Sequence, residues 1–392
     1  MRLVLLVFAL VGVFTLQDFI PENTRGSASV QSQLTVAAVN RLKLARQGET
    51  IELTAQDLAP LVEKDLNKLR VLDSSGKEVL SQSVDTDYDD YHKPDKLIFQ
   101  ADFAPGETKT FTVAGGSKRE YKKEDFRAYG RFVRERFDDF AWENDRIAHR
   151  TYGKALITWK GEPLTSSAID IWSKRTSKLV INDWYMLDNY HTDTGDGMDA
   201  YSAGPTRGCG GSGIWANNQL YIPTNFVDSR VLTNGPLRVM FELVYEPFDA
   251  NGVKVSQVLR VSLDAGSQLN HFETFYRADS PLAVAIGLKK VKDEQRDVNA
   301  DRGWVTIWQP VEKNLGMQGL AVLMFPDDVD KLAEDTRNNL VVLKPRINPS
   351  VSYWAGFAWD RAGRITSANS WKKYIDEFGE RLRSPIEVAV KS

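Results

Sequence analysis

Cysteine is almost missing from this sequence: Cys209 is the only one in 392 residues. No intramolecular disulfide can form, so stability has to come from packing. The lack of a cysteine near the amino-terminal apolar run also excludes a lipoprotein-type modification there. An excess of one charge is lacking too. Fifty Lys and Arg against 53 Asp and Glu leave a formal net charge of -3, which supplies neither a basic field for nucleic acid nor a polybasic patch for anionic lipid. Beyond the first 14 residues no apolar run is long enough to span a membrane. The short motifs of several enzyme classes are missing as well: the Gly-x-Ser-x-Gly elbow, the Walker loop, Cys-x-x-Cys and His-Glu-x-x-His. Gly208-Cys209-Gly210-Gly211-Ser212-Gly213 lacks the Gly-Lys-Ser/Thr ending of a phosphate loop, and Cys209 reads there as a small packing residue.

What is present starts with Met1-Arg2-Leu3-Val4-Leu5-Leu6-Val7-Phe8, one positive charge followed by a short apolar run. That is the pattern of a secretory signal peptide, and the run is too short to cross a bilayer comfortably. Residues 1–25 are assigned to it, which places the mature protein in the periplasm or outside the cell, with no membrane span of its own. The remainder, 26–392, has apolar content for one large core or two modest ones, and is read as a single catalytic unit.

Alternation dominates that remainder. Gln33-Leu34-Thr35-Val36, Glu49–Leu53, Lys68–Leu72, Lys96–Gln100 and Thr108–Val113 make 32–115 an amino-terminal β-subregion. Further on, Leu237–Tyr245, Gln257–Leu263, Asn270–Tyr276, Leu282–Leu288, Gly303–Trp308, Gly319–Met324 and Asn339–Leu343 are strand-like and separated by turn residues. Helical signal is restricted to Asp328–Thr336 and Ser370–Leu382. Many strands and few helices predict an all-β chain, a large antiparallel β-sandwich. Asp85-Thr86-Asp87-Tyr88-Asp89-Asp90 begins like a calcium loop, but Lys96 stands where the twelfth-position glutamate is required, and a solvated turn is expected.

Two stretches carry the chemistry. Residues 182–215 concentrate titratable and aromatic side chains among glycines, and are read as an ordered site loop. Residues 129–153 mix charge and aromatics with no clean period. Of the four histidines, His149 and His191 fall in these stretches, His92 in the acidic turn, and His271 shares a strand face with Glu273. Glycoside hydrolysis would need two carboxyl groups across the scissile bond, and nothing singles out a pair among Glu143, Asp145, Asp193, Asp199 and Glu273. β-Elimination at a uronic acid needs a base for the proton alpha to the carboxylate, an acid for the oxygen leaving C4, and cations to hold the carboxylate. Residues 142–152 and 190–207 supply all three, which favours elimination. Proton transfer is assigned to His149 with Tyr190 or His191, and the carboxylate clamp to Arg150, Arg207 and Asn144. Tyr152, Asp199, Trp215, His271 and Glu273 complete the expected substrate-binding set. His191 and Asp193, helped by His271 or Glu273, are candidates for a zinc or calcium site, and no cofactor is required by the chemistry.

The chain also resembles a family of exported bacterial β-sandwich proteins from polysaccharide-degradation clusters that includes ulvan oligosaccharide dehydratases. The resemblance is carried by Phe140-Ala141-Trp142-Glu143-Asn144-Asp145, Ala148-His149-Arg150-Thr151-Tyr152-Gly153, Ile169-Asp170-Ile171-Trp172 and Tyr190-His191-Thr192-Asp193-Thr194-Gly195. Gly208-Cys209-Gly210-Gly211, Asn234-Gly235-Pro236-Leu237-Arg238 and Tyr353-Trp354-Ala355-Gly356-Phe357-Ala358-Trp359 extend it over most of the mature chain. Asp196 departs from the family pattern, where glutamate is expected. The resemblance implies a sandwich similar to the galactose-mutarotase-like fold of polysaccharide lyases. It also implies removal of water from a uronic acid at the non-reducing end of an oligosaccharide, leaving a 4,5-unsaturated uronate. Its partner is then a uronic-acid-containing oligosaccharide, with chain-cleaving lyase or non-catalytic carbohydrate binding as alternatives.

Overall fold

The structure, a computed structural model, describes residues 31–87, 93–161, 163–187 and 189–391. The expected signal peptide and His92 lie outside the described residues. Alternation in the second half of the chain becomes a nine-stranded antiparallel sheet. Its order is Phe226–Asn234, Arg238–Tyr245, Val253–Asp264, Leu269–Arg277, Ser350–Trp359, Met317–Leu323, Trp304–Pro310 and Gln295–Asn299, with Phe248–Ala250 pairing on Val253–Asp264. Within Val253–Asp264, Leu259, Val261 and Leu263 are buried while Arg260 and Ser262 point to the other face, as a period of two requires.

Two five-stranded sheets cover the inner face. One runs Gln219–Tyr221, Cys209–Ala216, Val284–Lys289, Asn338–Leu343, Val329–Glu334. The other, which will matter most, runs Gly197–Met198, Asp170–Lys174, Ala148–Thr151, Asp139–Asn144, Ala128–Val133. They meet where Cys209 N donates to Ile169 O at 2.9 Å. Phe140, Trp142, Phe241, Phe272, Ile286, Leu320, Tyr353 and Phe357 share the core between the layers, with Phe140 stacked on Phe241 at 4.1 Å between ring centroids. Each such side chain contributes about 1.5–3 kcal/mol on full burial. The architecture is a large antiparallel β-sandwich.

The outer face of the nine-stranded sheet is covered by the amino-terminal strands and by a helix. Strand Gln33–Val39 pairs on one side with Thr108–Gly115 and on the other with Glu387–Lys391, so the carboxyl-terminal strand completes the amino-terminal sheet. That region has its own core of Leu34, Val36, Leu53, Leu69, Val71, Phe99, Phe111 and Val113. It sits on the sandwich through Val84 and Ile98 against Leu232, Leu237 and Met240. The two α-helices of the described residues are α1 (Ile181–Leu187) and α2 (Ala368–Arg383). Ser367 and Ser370 cap α2 reciprocally. Trp371 of α2 lies against Gly319, where an added Cβ would come within 2.6 Å of the indole.

One expectation is corrected. Asp328–Thr336 is not a helix but a short 3-10 turn (Pro326–Asp328) followed by strand Val329–Glu334. The Asp335 carboxylate accepts from Arg337 N and Asn338 N, both at 2.7 Å. That turn folds the chain back as a hairpin onto Asn338–Leu343, and edge pairing overrides a weak helical preference.

Candidate active site

Side chains two apart on a strand share a face, and this sorts the first dense stretch. On Asp139–Asn144, Phe140 and Trp142 enter the sandwich core, while Ala141 belongs to the separate cluster under α1. Asp139, Glu143, Arg150, Asp170 and Lys174 share the face of Ala141, where α1 and residues 189–201 cover the sheet. Glu143 anchors that cover. Its carboxylate accepts from Val180 N at 2.9 Å and Ile181 N at 2.8 Å, at the start of α1, and pairs with the fully buried Lys174 Nζ at 2.6 Å. The loop that follows is held by Arg175 on Asp193 and by Asp199 N on Tyr190 O at 2.7 Å.

Between sheet and cover lies a cluster centred on Arg150. Its Nε donates to Asp170 Oδ2 at 2.8 Å and its Nη2 to Asp199 Oδ2 at 3.0 Å, while Nη1 lies 3.3 Å from the Tyr190 hydroxyl. Tyr152 also donates to Asp170 Oδ2, at 2.9 Å. A second guanidinium arrives from the turn before Asp139: Arg136 Nε donates to the Tyr190 hydroxyl oxygen at 2.8 Å. Tyr190 is thus held between two arginines, its ring stacked on Trp172 at 4.9 Å. His191 packs on Tyr190 with centroids 4.5 Å apart, and its Nδ1 lies 3.6 Å from Asp199 Oδ2. Its side chain is 62% exposed, whereas Arg150, Asp199 and Tyr190 are 5% exposed or less, so His191 stands at the mouth.

The turn that delivers Arg136 is strained. Phe137 and Asp138 have φ of 50° and 64° although neither is glycine, a conformation that costs on the order of 1–2 kcal/mol per residue. Gly153 makes the turn possible, because a Cβ there would sit 1.7 Å from Asp138 O.

Burial dominates the electrostatics. It pushes the Asp139 carboxyl up to about 7, against the lowering effect of Arg150 and Arg136. It pushes Asp199 up to about 8, an effect reinforced by Asp170 and opposed by Arg150. Burial alone would lower Arg150, but Asp199 and Asp170 outweigh it and hold the guanidinium charged. Buried carboxyls that retain a proton near neutrality are unusual outside functional sites.

The structure brings together Arg150, Tyr152, Tyr190, His191 and Asp199. The other expected site residues are elsewhere. His149 points to the opposite face from Arg150, into the sandwich, and is wholly buried against Trp142 at 5.2 Å. Its Nδ1 is 2.9 Å from Asp170 O and its Nε2 2.9 Å from Asn270 Nδ2, so the ring is the Nδ1-protonated tautomer with neither nitrogen available. Its assignment to proton transfer is therefore corrected: His149 steadies Asp170, which holds Arg150. Asn144 is used by its own hairpin, donating to Asp264 O and Ser267 O and accepting from Arg146 N and Ile147 N. Arg207 is buried with its guanidinium on Ser167, close against Gly211. Neither can clamp a carboxylate in the cluster. Trp215 packs near Ala285, Leu340 and Val342. His271 and Glu273 lie on the outer face of the nine-stranded sheet, His271 stacked on Trp354.

Asp193 is taken by Arg175 and Gly195 N. Among the described residues no third ligand-type side chain joins it and His191, so this donor set does not fit a metal ion. The carboxylate oxygens that do converge, within 4.8 Å, are those of Asp85, Asp87 and Asp95, in the calcium-like turn. There Thr86 N and Oγ1 donate to Asp95 and Asp87 N to Asp85. Cys209 is buried, which pushes its thiol up and leaves it a packing residue.

Sequence reasoning missed Arg136, Asp139, Asp170 and Tyr185. Asp170 had a signal: a charge between Ile169 and Ile171 in a buried strand needs a partner, and Arg150 is directly opposite it in register.

A family model described as "Domain of unknown function (DUF4861)" matches residues 39–388. A Formosa agariphila protein, "Uncharacterized protein P7", is 33% identical over 370 residues, covering 91% of this chain and 93% of its own length. Among solved structures, a protein in glycosyl hydrolase family 38 from Enterococcus faecalis aligns with a TM-score of 0.53 at 10% identity. An α-mannosidase from Enterococcus faecalis V583 aligns at 0.50 and 11%. Each alignment covers 93% of this chain but only 48% and 47% of those proteins. The chain thus spans about half their length, and the likeness is one of fold.

Proposed function

The chain belongs to this family of domains of unknown function, DUF4861, and on that premise we propose that it is a carbohydrate-active carbon–oxygen lyase acting outside the cytoplasm. Its reaction is β-elimination of water from a uronic acid at the non-reducing end of ulvan-type oligosaccharides. One observation carries the reading: the Tyr190 hydroxyl receives Arg136 Nε at 2.8 Å, has Arg150 Nη1 at 3.3 Å, and sits beside the exposed ring of His191. Elimination breaks C5–H, uses that electron pair to make C4=C5, and expels the C4 oxygen, which leaves as water after taking a proton. Tyr190 and His191 are the two groups placed to take and give those protons. As C5 loses its proton, charge moves onto the carboxylate, and the paired guanidiniums are the donors that stabilise it. That the two structural neighbours are a protein in glycosyl hydrolase family 38 and an α-mannosidase agrees with an oligosaccharide substrate.

Hydrolysis is the second reading, favoured by Asp199, a carboxyl that keeps its proton near neutrality beside the mouth of the site and so has the property of a general acid. The test is incubation with saturated glucuronate-ended oligosaccharides. Elimination gives a new ultraviolet absorbance from the conjugated double bond. Loss of one water in the mass spectrum marks a dehydratase, chain cleavage with absorbance a lyase, and saturated fragments a hydrolase. Binding with no product would leave a carbohydrate-binding sandwich.

A further inference from the structure

Asp139 has no part in the chemistry above, yet it is an expensive group to keep. It is wholly buried, its Oδ1 meets only Gly153 N, at 3.3 Å, and its Oδ2 has no hydrogen-bond partner among the described residues. That oxygen lies 3.9 Å from Arg150 Nη1, the nitrogen nearest the Tyr190 hydroxyl. Close by is the buried hydroxyl of Tyr185 on α1, also without a hydrogen-bond partner among the described residues, on which Asp139 acts electrostatically. The residue also sits directly after the strained Phe137–Asp138 pair. An unsatisfied buried carboxyl costs more than a well-packed apolar side chain of similar size, and strain of this kind collects at functional positions.

We propose that Asp139 is a proton-operated gate on Arg150, closing the site to anionic sugars when it ionises. The inference rests on the reading of the substrate as a uronate. Protonated, Asp139 leaves the charge of Arg150 and Arg136 directed at an anion entering beside Tyr190. Ionised, its Oδ2 draws on Arg150 Nη1 and competes with that anion. The groups facing Asp139 are Arg136 from its own turn, Arg150 and Asp170 from neighbouring strands, and Tyr185 from α1. Burial, which places its ionisation at about 7, makes the gate move within the physiological range. Asp139 is a positioning residue in this scheme, because it acts through Arg150.

The experiment measures glucuronate affinity by calorimetry at pH 6.0 to 8.5 for wild type and Asp139→Asn, an isostere that cannot ionise. If only the protonated form binds, wild-type affinity falls by about 30-fold over this range, the ratio of protonated fractions for an ionisation near 7. Asp139→Asn is expected to fall by no more than about fourfold, the part that Asp199, ionising at about 8, still contributes. Parallel falls in the two proteins overturn the gate and leave the uronate reading standing. No glucuronate binding by either protein at any pH overturns that reading, and the gate with it. A denaturant titration gives a ligand-free check. The folded state keeps a proton that the unfolded chain releases above pH 3.8. Wild type should therefore lose stability relative to Asp139→Asn from pH 4 to 7, then track it. A constant difference also overturns the gate.

Discussion

Acidifying the protein from pH 7.5 to 4.5 should destabilise wild type by about 2.5 kcal/mol more than His149→Asn. The reasoning starts from burial, which lowers His149 from 6.5 to about 4. Geometry agrees: a proton on Nε2 would point at the Asn270 amide nitrogen, itself a donor to Ala355 O at 3.2 Å. Asn270 cannot simply turn over, because its Oδ1 accepts from Trp142 Nε1 at 2.7 Å. The folded state therefore refuses a proton that the unfolded chain takes. For a base depressed on folding, stability is complete above the unfolded value and is lost as pH falls through 6.5 toward 4. A shift of about 2.5 units is worth about 3.4 kcal/mol in full, of which about 2.5 is reached by pH 4.5. Urea unfolding of both proteins at both pH values isolates the effect, because carboxylates common to the two cancel in the difference. Equal losses, within about 0.5 kcal/mol, would refute the buried-neutral assignment and return His149 to the list of proton-transfer groups.

Tyr190→Phe keeps the stack on Trp172 and removes only the hydroxyl. It should lower kcat by about 10²–10⁴-fold in the ultraviolet assay with an unchanged thermal midpoint, and a wild-type rate would exclude Tyr190. Glu143→Gln removes the only counter-charge that the described residues place on the buried Lys174 ammonium, leaving it neutral acceptors such as Asn144 O at 2.8 Å, and should cost about 3–5 kcal/mol in denaturant unfolding; a loss below about 1 kcal/mol would mean α1 is anchored otherwise. Gly153→Ala puts a methyl 1.7 Å from Asp138 O. It should displace the turn that presents Arg136, abolishing turnover while circular dichroism still reports a β protein, and retained activity would show that the turn does not set the site.

The sandwich was legible because its strands are half-buried: Leu259, Val261 and Leu263 against Arg260 and Ser262 announce a period of two. The strands that build the site hide it. Asp139–Asn144 and Ala148–Thr151 are buried on both faces, so polar residues there do not mark solvent, and no alternation can be read. His149 and Arg150 looked like one motif because they are neighbours, yet adjacency on a strand sends them to opposite faces. Tyr190, His191 and Asp199, which the structure brings together, could be grouped from the sequence because they lie on a covering segment, where order without period is itself informative. Arg136 was missed for the opposite reason. Its position depends on a left-handed turn at Phe137 and Asp138, which no glycine announces, and on space left by Gly153, just beyond strand Ala148–Thr151.

The charges of the site then yield a last prediction. Among the described residues, Arg136 and Arg150 bring two positive charges, and Asp139, Asp170 and Asp199 bring up to three negative ones. Fully ionised, the cluster would carry a net negative charge out of water, which is costly, and burial answers by holding protons on Asp139 and Asp199 at about 7 and 8. A uronate entering beside Tyr190 adds another negative charge, and near-neutral pH leaves Asp139 about half protonated. Binding should then favour the protonated form and draw a proton from solution. At pH 7.5 the uptake should be about 0.5–0.8 protons per uronate, the fraction of Asp139 that must be reprotonated. Calorimetric titrations of glucuronate in two buffers of different ionisation enthalpy measure it as the slope of observed enthalpy against buffer enthalpy. A slope of zero would mean that the cluster is already positive at rest, and that the carboxyls are not what sets its affinity for an anion.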